Sequence, residues 1–185
     1  IASCLVGSEM CIRDRVSSIY YTTDTTDNTA AVTGSVTSLR NVVIPNTVNG
    51  FNVTSIAPSA FENRQTNGLT SITIPESVTS IGNWAFSYAR GLASINIPSG
   101  VTQYSGRDFK NTSIDSILYN DNNTILVYYP SSLTATEFTI PVGVTSISDY
   151  AFQYATSLTS ITIPDGFTTI GEKAFYQASN LTEVI

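Results

Sequence analysis

Apolar residues recur in this chain at two scales, every second residue over short stretches and every 23 residues over long ones. The segment from Leu158 reads LTSITIP. Leu158, Ile161 and Ile163 are apolar, and Ser160 and Thr162 are polar. That alternation predicts a short strand with one buried face. A Pro164-Asp165-Gly166 corner follows, made of turn residues. Phe167 and Ile170 then repeat the motif, and Ala174-Phe175 sit in EKAFYQA, whose composition predicts helical character. The dipeptide Ile-Pro marks the same point of each unit, at Ile44, Ile74, Ile97, Ile140 and Ile163. Intervals of 23 residues separate Ile74 from Ile97 and Ile140 from Ile163.

The longer intervals keep the same landmarks. Between Ile44 and Ile74 stand Val53, Ile56, Ala60-Phe61 and Leu69, with the extra residues in the Asn- and Gly-rich strings NTVNGFN and ENRQTNG. Loops take up insertions of this composition. Between Ile97 and Ile140 lies one degenerate unit, with Tyr104 in place of Ile and Asp108 in place of Ala. After it comes SILYNDNNTILVYYP, two apolar runs around Asn120 to Asn123, which predicts a β-hairpin.

One such unit cannot fold alone. The gain from burying its few apolar side chains does not exceed the entropic cost of ordering 23 residues. Stability must come from stacking unit on unit, which defines a solenoid. The expected architecture is a leucine-rich-repeat solenoid. Short parallel strands stack coil on coil, with short helical or turn segments on the other side and one hairpin-like insert.

The pattern L-x-x-I-x-I-P-x-x-V-T-x-I-G-x-x-A-F resembles the consensus of the BspA-like leucine-rich repeat family. The insert LYNDNNTILVYYP resembles a variant unit of that family, and YYTTDTTDNTAAVTGSVTSLRNVVIP resembles its N-terminal lead-in strands. The resemblance covers Val16 to Ile185. It divides the chain into lead-in strands at 16–43 and a solenoid at 44–185, with a variant unit at about 112–139. It implies a surface or secreted protein that binds matrix proteins or other cells. Ala89, Ala155 and Ala178 stand where many members place Cys, and Tyr104 and Asp108 depart from the consensus.

Residues 1–15 fit no part of the repeat. The string LVGSEMCIRDR, Leu5 to Arg15, resembles a translated sequencing adapter, so a non-native or disordered leader without a core role is expected there. At the other end Leu181, Val184 and Ile185 begin a strand whose Pro does not arrive. The expectation is that further repeats of the same chain follow Ile185 and pack on this end.

Composition narrows the chemistry. Charged residues are 12% of the chain and the formal net charge is −6. No basic stretch exists to hold a phosphate backbone, so nucleic acid is not an expected partner. No apolar run is long enough to span a membrane. Histidine is absent, which removes the commonest general base and metal ligand. Both cysteines, Cys4 and Cys11, lie in the leader. No cofactor, metal or catalytic residue is expected, and the chain reads as a non-enzyme. The one carboxylate pair at matching positions of successive repeats is Asp149 and Glu172.

The candidate binding face is the outward side of the strands. One row is Asn41, Ser71, Ser94, Glu137, Ser160 and Glu183, and the other is Val43, Thr73, Asn96, Thr139 and Thr162. Such rows suit a protein or glycan partner. The alternative for any single residue is a solvated strand face, given the β-propensity of Thr. Aromatics beside Ala-Phe, namely Trp84, Tyr88, Tyr150 and Tyr154, are candidate contacts. Their alternative is packing on adjacent coils. The expected function is a protein-interaction module of a cell-surface or secreted protein. The alternatives are a structural spacer or, further off, a solenoid that binds or cleaves polysaccharide.

Overall fold

The computed structural model describes residues 4–6, 9–13, 19–35, 39–62 and 68–185. It contains two compact units. The first comprises Ile1–Gln103 with Asp108–Ser113, and the second Tyr104–Arg107 with Ile114–Ile185.

The first unit opens as an antiparallel sheet. The strand Ile19–Asp24 pairs antiparallel with Thr29–Ser35, and their inward residues Ile19, Tyr21, Ala30 and Val32 are buried. The backbone of Cys4–Val6 and Glu9–Arg13, inside the predicted leader, adds two further antiparallel strands. The other residues of 1–15 lie outside the described residues. Thr29–Ser35 then pairs in parallel with Phe51–Ile56, which pairs in parallel with Ser80–Ile81. The first parallel coil is thus laid on the lead-in sheet. A second parallel sheet joins Asn41–Val43, Ser71–Thr73 and Ser94–Ile95, with Val42 level with Ile72 and Ile72 with Ile95. The strand Thr47–Val48, within the loop string NTVNGFN, folds back antiparallel on Phe51–Ile56.

The second unit repeats the arrangement. Glu137–Thr139, Ser160–Thr162 and Glu183–Val184 form one parallel sheet. Ile125–Tyr128, Ser146–Ile147 and Thr169–Ile170 form the other. The predicted hairpin is present, with Leu118–Tyr119 antiparallel to Ile125–Tyr128. Its turn is built by Asn120, whose buried Oδ1 accepts the N–H groups of Thr124 and Ile125 at 2.9 Å each. The insert is also a working coil. Ile125 and Leu126 register with Ser146 and Ile147. Tyr129 stacks on Phe152 at 4.8 Å, as a repeat Phe would.

In both units the consensus apolar positions form columns through the core. Ile44, Ile74 and Ile97 make one, Val53, Val78 and Val101 another, and all six are buried. Phenylalanines stack at 5.5 Å for Phe61–Phe86 and 5.8 Å for Phe86–Phe109. In the second unit Phe152 also stacks on Phe175, at 5.0 Å. After Pro141 the chain turns with Gly143 at φ 99°, a value an L side chain resists, and Val144 N–H returns to Pro141 O at 3.2 Å.

The Ala-Phe segments are not helical, which corrects the reading of EKAFYQA. In the second unit Tyr150, Phe152 and Tyr154 donate their N–H groups to the carbonyls of Glu172, Ala174 and Tyr176 one coil on, at 3.1, 2.8 and 3.0 Å. The residues between them close three-residue turns inside their own coil, as Gln153 N–H does on Tyr150 O at 3.0 Å. Sending alternate amides out of the coil needs a left-handed residue every fourth position. Tyr150 and Tyr154 have φ 54° and 60°, and Lys173 and Gln177 have 51° and 59°. An α-helix keeps its N–H groups for its own carbonyls and cannot do this. The first unit behaves alike: Trp84 and Tyr88 both have φ 59°, and Phe61, Phe86 and Tyr88 donate to Ala85, Asp108 and Lys110. The one helix among the described residues is a 3-10 turn, Gly106–Phe109, in the degenerate repeat.

Candidate interaction surface

The strand rows emerge as the alternation requires, but their members are not equally exposed. In the first unit Asn41, Val43, Thr73 and Ser94 are exposed, and Ser71 and Asn96 are half-buried. Val43 is 66% exposed, an apolar side chain in a polar row. In the second unit Glu137 and Thr139 are exposed, and Ser160 and Thr162 are half-buried.

Several of these side chains serve the fold. Asn41 Oδ1 accepts the hydroxyl of Ser71 at 2.9 Å and, at 3.0 Å, shares the single proton of the Thr70 hydroxyl with Arg40 O. Asn96 accepts Ile74 N–H at 2.7 Å on Oδ1 and donates Nδ2–H to Ile74 O at 2.9 Å. Its amide thereby replaces a backbone rung, the rung that Thr162 O supplies to Ile140 N–H at 3.0 Å. Asn96 is a ladder residue more than a contact residue.

The threonines before the strands have a role the sequence alone did not disclose. Thr159 Oγ1 donates to Thr136 O at 2.9 Å, and Thr168 Oγ1 donates to Thr145 O at 3.0 Å. Thr70 does the same to Arg40 O at 2.9 Å. Each hydroxyl reinforces a backbone rung between neighbouring coils, so part of the Thr richness is structural.

The aromatic candidates lie on the turn side. Trp84 is 47% exposed and Tyr88 half-buried. In the second unit Tyr150 is half-buried and Tyr154 is 40% exposed. The structure adds three residues that sequence reasoning passed over: Tyr176, Arg107 and Lys173. Tyr176 is 40% exposed, and its ring meets those of Tyr150 at 6.0 Å and Tyr154 at 6.2 Å, both edge-to-face. The Arg107 guanidinium lies over the Tyr150 ring at 4.2 Å, and Lys173 Nζ is 5.9 Å from its centre. Tyr176 escaped notice because equivalent positions hold Ser87 and Gln153, both buried.

Electrostatics at this cluster are local. Lys173 Nζ pairs with Glu172 Oε1 at 2.7 Å. That hydrogen bond, reinforced by one to Tyr150, holds the lysine pKa above its usual value. Its counterpart holds Glu172 below the usual carboxylate range. Asp149 Oδ1 accepts the backbone N–H of Glu172 at 2.6 Å. The two matching carboxylates thus have different partners: Asp149 caps a backbone amide and Glu172 turns to a lysine. In the first unit Asp108, fully buried where Ala is usual, accepts Trp84 N–H at 2.6 Å, which explains the departure from consensus. Among the described residues no group of three or more His, Cys, Asp or Glu is placed to hold a metal, and no helix is long and apolar enough to cross a membrane.

Parallel ladders one repeat apart, apolar columns and reinforcing threonines define a leucine-rich-repeat solenoid protein. Comparison with known families gives the same answer: the family described as "BspA type Leucine rich repeat region" matches in six copies, over residues 34–129 and 127–185. The chain belongs to that family. Among solved structures it is similar to the leucine-rich repeat protein of T. pallidum, with 17% identity, TM-score 0.62 and coverage of 92% of this chain and 91% of that one. It is also similar to a leucine-rich repeat protein of Bacteroides ovatus, with 24% identity, TM-score 0.62 and coverage of 94% of this chain. The chain spans 53% of that protein. These likenesses show the fold. Comparison with curated proteins found no match.

Proposed function

We infer that this chain is a non-catalytic protein-interaction module of a cell-surface or secreted protein, one that attaches to matrix proteins or to other cells. The observation that carries this reading is the register of the strand sheets. Val43 and Thr73 stand side by side in one unit, as do Glu137 and Ser160 in the other, and most of these side chains do no core work. A surface of this kind offers a partner a row of contacts at strand spacing. Val43 is the apolar anchor of its row, and anchors of that sort concentrate binding energy.

Surface plasmon resonance against immobilised matrix proteins and fixed cells tests it. The chain is expected to bind, and Val43→Glu with Thr73→Arg is expected to weaken binding at least ten-fold while far-UV circular dichroism stays unchanged. Binding indifferent to both strand rows, or no binding to any surface, refutes the reading and leaves a spacer.

A further inference from the structure

Threonines of the coils put their hydroxyls to structural use, as Thr70, Thr159 and Thr168 do. The lead-in sheet of the first unit departs from that habit. A cavity of about 380 Å³ opens there over the strands Ile19–Asp24, Thr29–Ser35 and Phe51–Ile56. Thr22, Thr25, Thr29 and Ser55 line it. Among the described residues their hydroxyls have no hydrogen-bond partner.

The sequence makes this hollow. Alternation puts Thr22 and Asp24 on the side of the sheet opposite the buried Tyr21, with Thr29 and Ala31 beside them. Thr22, Ala31 and Ser55 stand level across the three strands. The middle residue carries only a methyl, so a floor lies between two hydroxyl walls. The pairing of the second strand with the third shifts register between Ala30 and Ala31, a bulge of the kind that re-aims side chains beside a site.

The lining sets the chemistry of a ligand. Among the lining residues Asp24 alone is charged, and no basic side chain offsets its carboxylate there. Asp24 Oδ1 accepts the N–H of Thr26 at 2.8 Å, which leaves Oδ2 without a partner among the described residues. An anion is therefore repelled. An apolar molecule would strand the hydroxyls and the carboxylate without water. A matched ligand brings a positive donor for Asp24 and hydroxyls for the threonines. Small-molecule clefts run from roughly 300 to 1,000 Å³, which places this one at the small end of that range.

We propose that this hollow binds a protonated amino sugar. Its ammonium pairs with Asp24, and its ring hydroxyls exchange hydrogen bonds with Thr22, Thr29 and Ser55. The ring rests on the Ala31 methyl. The proposal does not depend on the strand-row reading above.

Isothermal titration of the full chain with glucosamine, N-acetylglucosamine and glucose, at a pH where the glucosamine amine is protonated, tests it. The three share a ring, and only glucosamine carries charge. Glucosamine is expected to bind at least ten-fold tighter than either neutral sugar, by a margin that shrinks as salt rises. Asp24→Asn should erase the margin. Asp27→Asn, which removes a charge from the same turn but not from the cavity wall, should keep it. Ala31→Val fills the floor with a good strand former and should weaken binding of all three sugars at least ten-fold. Thr22→Val with Ser55→Ala strips two hydroxyls and gives the same readout if Ala31→Val unfolds. Val43→Glu with Thr73→Arg should change none of this, so failure here and failure of the strand rows are told apart. No binding of glucosamine, equal binding of the three sugars, or a margin that outlives Asp24→Asn overturns the proposal. So does binding left intact by both the filled floor and the stripped hydroxyls.

Discussion

Replacing Tyr154 by alanine and, separately, by glycine isolates the backbone of the turn arc. Both variants lose the same ring and the same edge-to-face contact with Tyr176, a loss of about 0.5–1.5 kcal/mol common to the two. What differs is the backbone at φ 60°. An alanine Cβ in the left-handed region costs roughly 1–2 kcal/mol, which glycine escapes. Glycine in turn gives the unfolded chain more freedom, worth about 0.4–1 kcal/mol against it. The glycine variant is therefore expected to be more stable than the alanine variant by roughly 0.8 kcal/mol, within a span of about 0 to 1.6, net of those two effects. A helical segment gives the opposite sign, with alanine ahead by about 0.8–1 kcal/mol. Urea unfolding followed by far-UV circular dichroism, with both variants at equal concentration, measures the difference. An alanine variant more stable than the glycine variant by about 0.8–1 kcal/mol, as in a helix, refutes the alternating-amide account of this arc.

Three further outcomes are expected. Phe152→Ala removes a fully buried ring stacked between Tyr129 and Phe175 and should cost about 3–5 kcal/mol in the same assay, against much less for the half-buried Phe175→Ala. Gly82→Ala would drive a Cβ into the backbone of Ala57 and Pro58 and should cost about 1–3 kcal/mol, whereas Gly100→Ala, whose nearest neighbour is 3.6 Å away, should be near neutral. Burial pushes the Tyr128 phenol up to about 12 from 10.0, so the unfolded chain releases its proton first. That contribution is complete below pH 10 and is lost as pH rises towards 12. Denaturation midpoints across this range should fall, and fall less in Tyr128→Phe.

Much of the fold was legible because its determinants are local and periodic. Ile-Pro columns, alternating strands and the Asn120 turn all announce themselves by spacing. The arc around Tyr150 was not legible, because EKAFYQA and YAFQYA have a helix-like composition and only the neighbouring coil takes their amides away. The same holds for Asn96. An asparagine on an outward strand position reads as a contact residue until its amide is found replacing a rung to Ile74. Of the surface, the rows could be written down from the repeat alone. The tyrosine cluster could not be completed, since Arg107 lies 43 residues before Tyr150 in the chain and Tyr176 breaks the pattern of its own position.

The one-way donation in the turn arcs gives each stack a direction. Tyr150, Phe152 and Tyr154 all give their protons towards the C-terminal neighbour, as Phe61 and Phe86 do in the other unit. Each arc therefore has a proton-rich pole and an oxygen-rich pole. A coil turned end for end within the stack would oppose donor to donor on one side and acceptor to acceptor on the other. A coil laid on the proton-rich pole must offer its carbonyls to it, which fixes the sense in which coils follow one another. A winding of this sort is extended the way a zip fastener is, from one side and in one sense.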